Sequence, residues 1–232
     1  MALIYASNQE ELEQAFTTMG FVEGTDDDTG KWFFGNDTNR MAYFTLTYVT
    51  TGVNTSPIAY HDSSGQTRNL YAQMNSSVPI LKIEYHELYN GGICFRWQSG
   101  TSVNIDSVSF SNNMTVAIFV NSDNSYSTIF NLSNSTSSIS TYFDDMKGVT
   151  TYLPVFTFSG TPVQQTTTVV ILAKLYNNRD GILDGEVYSV LTPVPNSNTP
   201  YFTTVNNIKY IITFGLSNAP TGRLAFRFAD ES

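Results

Sequence analysis

Residues 81–98 read Leu81-Lys82-Ile83-Glu84-Tyr85-His86-Glu87-Leu88-Tyr89-Asn90-Gly91-Gly92-Ile93-Cys94-Phe95-Arg96-Trp97-Gln98. In the first half Leu81, Ile83 and Tyr85 alternate with Lys82, Glu84 and His86, the period of two that sends successive side chains to opposite faces of a strand. In the second half Ile93, Phe95 and Trp97 alternate with Cys94, Arg96 and Gln98. Between them Asn90-Gly91-Gly92 supplies residues that tolerate the left-handed backbone of a tight turn. The first half therefore predicts a half-exposed antiparallel strand, and the whole stretch a hairpin. Glu84 and His86 are expected on the solvated face.

The same period continues outward. Upstream, Trp32-Phe33-Phe34 predicts a short strand, and Met41 to Thr50 a longer one with Ala42, Phe44, Leu46 and Tyr48 on one face. Downstream, Val103 to Phe110, Met114 to Val120 and Tyr126 to Leu132 are separated by Ser/Asn turns at roughly the 8–12-residue spacing of sandwiches and barrels. Further on, Thr167 to Tyr176 holds the run Val169-Val170-Ile171-Leu172-Ala173, apolar on both faces and so expected to be buried on both. Pro193, Pro195 and Pro200 break the chain before a closing pair of strands, Ile208 to Phe214 and Arg223 to Phe228. A single helix is predicted near the start. Ser7-Asn8-Gln9-Glu10 reads as a capping box, and Leu12, Ala15, Phe16 and Met19 fall at helical spacing before Gly20.

The predicted fold is mainly β: an antiparallel β-sandwich or jelly-roll-like arrangement with one short N-terminal helix. The polar tract Asn131–Thr141 and the turn Ser159-Gly160-Thr161-Pro162 place a boundary between about 145 and 165. Residues 1–150 would then hold the helix and a β-sandwich, and residues 151–232 a smaller β domain or a continuation of the same sandwich.

Composition agrees with that fold and narrows the function. Aromatic residues make up 14% and charged residues 13% of the 232-residue chain, the latter about half the usual share. Disorder would need the opposite balance. A net charge of −9 and a pI near 4.5 argue against nucleic acid and against an anionic membrane surface, both of which demand clustered Lys and Arg. Met1-Ala2-Leu3-Ile4-Tyr5 lacks the basic and long apolar regions of a signal peptide, and no stretch reaches the length of a membrane span. The expectation is thus a protein made and kept in a cytoplasm, or released by lysis. On that expectation the Asn-x-Ser/Thr triplets at Asn36, Asn54, Asn75, Asn113, Asn131 and Asn134 are read as unglycosylated.

Chemistry is sparsely supplied. Cys94 is the one cysteine, so no intrachain disulfide forms, and Ile93-Cys94-Phe95 reads as a buried apolar position lacking an activating neighbour. His61-Asp62-Ser63 contains the residue types of a hydrolytic triad, but as sequence neighbours they read as a polar turn. Glu84 and His86 could offer two metal ligands, fewer than a zinc site needs. Asp26-Asp27-Asp28 and Asp180-Gly181-Ile182-Leu183-Asp184-Gly185-Glu186 are oxygen-rich without the spacing of a calcium loop. Nucleotide-binding glycine loops are missing, so no cofactor is expected. Trp32, Trp97 and the tyrosines could stack on sugars if exposed, and read as core if not. No catalytic, cofactor-binding or metal residue is assigned, and the expectation is a non-enzymatic protein.

The capped helix, the short Ser/Thr/Asn-rich strands, the lone cysteine, the retained Met1 and the closing Asp180-Gly181-x-x-x-Gly185-Glu186-Val187-Tyr188 … Arg223-Leu224-Ala225-Phe226-Arg227-Phe228 together resemble virion structural proteins of tailed bacteriophages. The resemblance extends over the chain in style, and most closely from Asp180 to Phe228. It implies a head, neck, tail or baseplate component that forms homo-oligomers and contacts other virion proteins after assembly in the host cytoplasm. A carbohydrate-binding or receptor-binding β-sandwich module, taking a glycan, is the alternative.

Overall fold

The alternation read along the sequence becomes antiparallel strand pairing wherever the structure, a computed structural model, describes the chain: residues 2–35, 41–48, 57–69, 79–101, 115–135, 138–146, 150–153, 172–174, 176–177, 181–182, 187–190, 201–212 and 224–229. In chain order the elements begin β1 (Ala2–Ala6), α1 (Gln9–Thr18), β2 (Phe21–Glu23), β3 (Trp32–Phe34), β4 (Tyr43–Leu46), β5 (Ile58–His61), β6 (Thr67–Asn69), β7 (Pro79–Glu87) and β8 (Ile93–Thr101). They continue with β9 (Thr115–Val120), β10 (Tyr126–Ser135), β11 (Ser138–Asp144), β12 (Thr150–Leu153), β13 (Leu172–Lys174), β14 (Tyr176–Asn177) and β15 (Gly181–Ile182). Last come β16 (Val187–Val190), β17 (Tyr201–Val205), β18 (Ile208–Ile212) and β19 (Leu224–Arg227). The fold is mainly β, antiparallel and sandwich-like, with one short α-helix among the described residues.

Two compact units divide the chain, each built from separated stretches: Met1–His86, Phe95–Asn112 and Asp144–Thr150 in the first, and Glu87–Cys94, Asn113–Phe143 and Thr151–Ser232 in the second.

In the first unit α1 starts one residue later than its capping box predicts. Asn8 is the cap, its side-chain oxygen accepting from the Glu11 N–H at 2.9 Å, while the Glu11 carboxylate reaches back to the Ser7 N–H and hydroxyl at 2.7 Å each. Glu11, not Glu10, closes the reciprocal pair. At the other end Gly20 takes φ +91°, the left-handed turn that ends a helix, and a Cβ there would already touch the Phe34 ring. Leu12, Ala15, Phe16 and Met19 are buried as their spacing requires. Phe16 lies 4.6 Å from Phe21, 6.2 Å from Trp32, 6.0 Å from Phe44 and 6.1 Å from Phe95, ring centre to ring centre. It thus joins the sheet β2-β3-β4-β5-β6 to the pairing of β1, β7 and β8. That aromatic layer is the sandwich core.

Three expectations change here. The segment Met41 to Thr50 is a strand over Tyr43–Leu46 alone, with its last two residues outside the described set. β1 and β2 are strands that sequence periodicity misses, because each is five residues or fewer. Most consequentially, Ile93, Cys94, Phe95, Arg96 and Trp97 are all buried, and Glu84 and His86 of β7, expected in solvent, are buried as well.

In the second unit β9, β10, β11 and β12 lie in that order in one sheet, and β13, β16, β19, β18 and β17 in another. Their inward residues share one core. Ala117, Phe119, Ile129 and Phe143 come from the first sheet and Val187, Ile211, Leu224 and Phe226 from the second, joined by Leu88 and Cys94. Asn206 and Asn207, at φ +52° and +65°, form the two-residue turn that joins β17 to β18, the conformation whose twist suits a tight hairpin. The polar tract from Asn131 onward supplies residues of β10 and β11. The predicted strand Val103 to Phe110 and the run Val169-Val170-Ile171 lie outside the described residues.

Candidate functional site: polar clusters and open sheet edges

The residues with the most chemistry are engaged in holding the first unit together. Glu84 and His86, expected in solvent, are 3% and 4% exposed. Arg96 donates to Glu84 Oε2 through Nε at 2.9 Å and Nη2 at 2.6 Å, and His86 Nε2 lies 2.9 Å from Glu84 Oε1. Burial alone would push the Glu84 carboxyl up, but the His86 hydrogen bond and the Arg96 guanidinium outweigh it and hold the pKa below the ordinary value. The Arg96 guanidinium and the His86 ring together give each Glu84 oxygen a partner inside the first unit.

The His61-Asp62-Ser63 sequence is likewise taken apart by its partners. His61 Nε2 lies 3.0 Å from Thr45 Oγ1 and Nδ1 lies 3.1 Å from Thr67 Oγ1, with the ring stacked 4.4 Å from Tyr43. Burial, aided by Lys31 and opposed by Asp62, lowers its pKa. Asp62 accepts from the N–H groups of Ser64 and Gln66 and shapes the turn. The Ser63 hydroxyl donates to Asp144, which also accepts from Tyr60 Oη at 2.7 Å, the Ser63 N–H at 2.9 Å and the Met146 N–H at 2.8 Å. Burial pushes the Asp144 carboxyl up, and the bonds from Ser63, Tyr60 and Met146 offset this only in part. A serine bonded to a buried carboxylate while its neighbouring histidine bonds two threonines is not a nucleophile–base pair. Asp144, eighty-one residues from Ser63, could not have been found from spacing.

The other sequence candidates fall as follows. Cys94 is buried in the second unit's apolar core. Trp32 and Trp97 are buried, which removes them as sugar-stacking platforms. Asp26–Asp28 form an exposed 3₁₀ turn whose Asp28 pairs with Lys31 at 2.5 Å. Of Asp180–Glu186 only Gly181 and Ile182 are described. Among the described residues no three His, Cys, Asp or Glu side chains gather as metal ligands would, and no helix is long and apolar enough to cross a membrane.

Most of the exposed large apolar side chains sit on edge strands. Five large apolar side chains are exposed among the described residues: Leu3, Tyr5, Val22, Met41 and Phe202. Leu3 and Tyr5 lie on β1, Val22 on β2 and Phe202 on β17, and each of these strands is the last of its sheet. An edge strand offers unpaired N–H and C=O groups, and proteins that must stay apart guard such edges with charge, proline or a bulge. β1 has none of the three. Its sequence, Ala2-Leu3-Ile4-Tyr5-Ala6, is uncharged and pairs with β7 without interruption from Ala2↔Tyr85 to Ala6↔Leu81. Compared with known proteins, the chain matches no family model, no curated sequence and no solved structure.

Proposed function

We propose that this chain is a non-enzymatic structural subunit of a tailed-bacteriophage particle, acting through subunit contacts in a head, neck, tail or baseplate assembly. The observation that carries the assembly part is the coincidence of exposed apolar side chains with the edge strands β1, β2 and β17, of which β1 carries no charge, proline or bulge. Such edges favour continuation of a sheet into a neighbour, since backbone pairing and apolar burial are gained together. The buried polar residues support the same reading: Glu84, Arg96, Ser63 and Asp144 bond one another inside the first unit. The phage part rests on the sequence resemblance from Asp180 to Phe228.

Sedimentation velocity of the full chain over a hundredfold concentration range, run beside a glycan array, tests this. Reversible association with no glycan bound is expected. A chain that stays monomeric throughout and binds a glycan would establish the carbohydrate-binding alternative instead.

A further inference from the structure

We infer that β1 is the seam of a two-fold homodimer, in which the β1 strands of two copies pair antiparallel about Ile4 and join their sheets. This rests on the assembly reading above and specifies one contact within it.

The occupant is argued from the strand itself. Laid antiparallel about Ile4, two copies of Ala2-Leu3-Ile4-Tyr5-Ala6 place Ala2 opposite Ala6, Leu3 opposite Tyr5 and Ile4 opposite Ile4. Small residues meet small ones and large meet large. Opposed residues in an antiparallel pair share a face, so the exposed Leu3 and Tyr5 of each copy form one four-membered apolar cluster, with Cβ atoms about 4.5–5.5 Å apart across the seam. A slip of one residue would turn the second copy over and put its Leu3 and Tyr5 on the opposite side. A slip of two would leave Tyr5 or Leu3 without a strand residue opposite.

Charge on the strand itself does not oppose this occupant. A chain of net charge −9 repels its own copies, and contact is least opposed where the seam is uncharged. β1 carries no ionisable group besides the Tyr5 phenol, and the strand behind it presents Lys82 beside Tyr5. Among the described residues β7 is the only strand paired with β1, which is the last strand of its sheet. An isologous seam also closes on itself, giving a discrete dimer as a building unit while β2 and β17 remain for other contacts.

The register is tested by charge placement in the full chain. In Leu3→Lys/Tyr5→Lys both cross-seam pairs become lysine opposite lysine. In Leu3→Lys/Tyr5→Glu both become lysine opposite glutamate. Within the chain, the observed register then sets the introduced lysine against Glu84 and the introduced glutamate against Lys82. The first variant is expected to weaken dimerisation by about tenfold or more and the second to restore it to within a few-fold of wild type. An equimolar mixture of Leu3→Lys/Tyr5→Lys with Leu3→Glu/Tyr5→Glu should form heterodimers, which also demonstrates that both variants fold. Wild-type-like association of Leu3→Lys/Tyr5→Lys would overturn the seam and leave the assembly reading standing. Failure of both Leu3→Lys/Tyr5→Glu and the mixture to associate would overturn the two-fold register, meaning that β1 meets an unlike edge. A wild-type chain that never associates would overturn the seam and the assembly reading together.

Discussion

Replacing Arg96 with methionine keeps much of the side-chain volume and removes both hydrogen bonds that the guanidinium gives to Glu84 Oε2, at 2.9 and 2.6 Å. Both side chains are 4% exposed, so water cannot take over the solvation. Hydrogen bonds to charged groups contribute about 1.5–3 kcal/mol each, and breaking a buried ion pair from one side costs about 3–5 kcal/mol. His86 still reaches the other carboxylate oxygen at 2.9 Å and offsets part of the loss. We expect about 3 kcal/mol of destabilisation at pH 7. The two tryptophans of the chain, Trp32 and Trp97, both belong to the first unit, so urea unfolding followed by tryptophan fluorescence reads the effect where it arises.

Acidification provides a second, sign-specific check on the same variant. In the wild type the Glu84 pKa is lowered in the folded state, so its contribution is present at neutral pH and is lost as pH falls through the folded value. Without Arg96, burial should dominate and raise that pKa, so the variant regains stability as the carboxyl protonates. The gap between wild type and variant should narrow between pH 7 and pH 5, and Glu84→Gln/Arg96→Met should recover part of it at pH 7. A loss below about 1 kcal/mol at pH 7, or a gap indifferent to pH, would refute the role given to this cluster.

Asp144→Asn presents an amide NH2 to donors that now meet a carboxylate, from Tyr60, Ser63 and Met146, and should cost about 1–3 kcal/mol. The Asp144 pKa is raised from 3.8 in the folded state, so wild-type stability falls as pH rises from that ordinary value through the folded one, and the penalty of the substitution should shrink over the same window in urea titrations. Gly92→Ala would set a Cβ 2.6 Å from the Ile118 carbonyl oxygen and 3.1 Å from the Phe119 Cα. Both are backbone atoms of β9, so about 1–3 kcal/mol is expected, read as a lower thermal midpoint by far-UV circular dichroism. An unchanged midpoint would contradict that packing.

Residue order alone determined the β class and the helix. Alternation over residues 81–86 and helical spacing at Leu12, Ala15, Phe16 and Met19 are local, and a pleated or helical backbone translates them directly into faces. The helix cap was legible to within one residue, since Ser7 and Asn8 are both competent caps and only backbone geometry selects Asn8. Burial of Cys94, Trp32 and Trp97 also agrees with their apolar surroundings in the sequence.

Alternation states that two faces of a strand differ, not that the polar face meets water. Hence Glu84 and His86 were placed in solvent when in fact they bond each other in the interior, with Arg96 on the same carboxylate. Their pairing spans twelve residues from Glu84 to Arg96, and the bond from Ser63 to Asp144 spans eighty-one. Such contacts are made by strands meeting in space, which no short-range period encodes. The candidate site depends on the same kind of information. Ala2-Leu3-Ile4-Tyr5-Ala6 would look no different as a central strand. Being an edge is a property of a strand's neighbours, so only the tertiary structure could reveal that, among the described strands, Leu3 and Tyr5 stand on the last of their sheet.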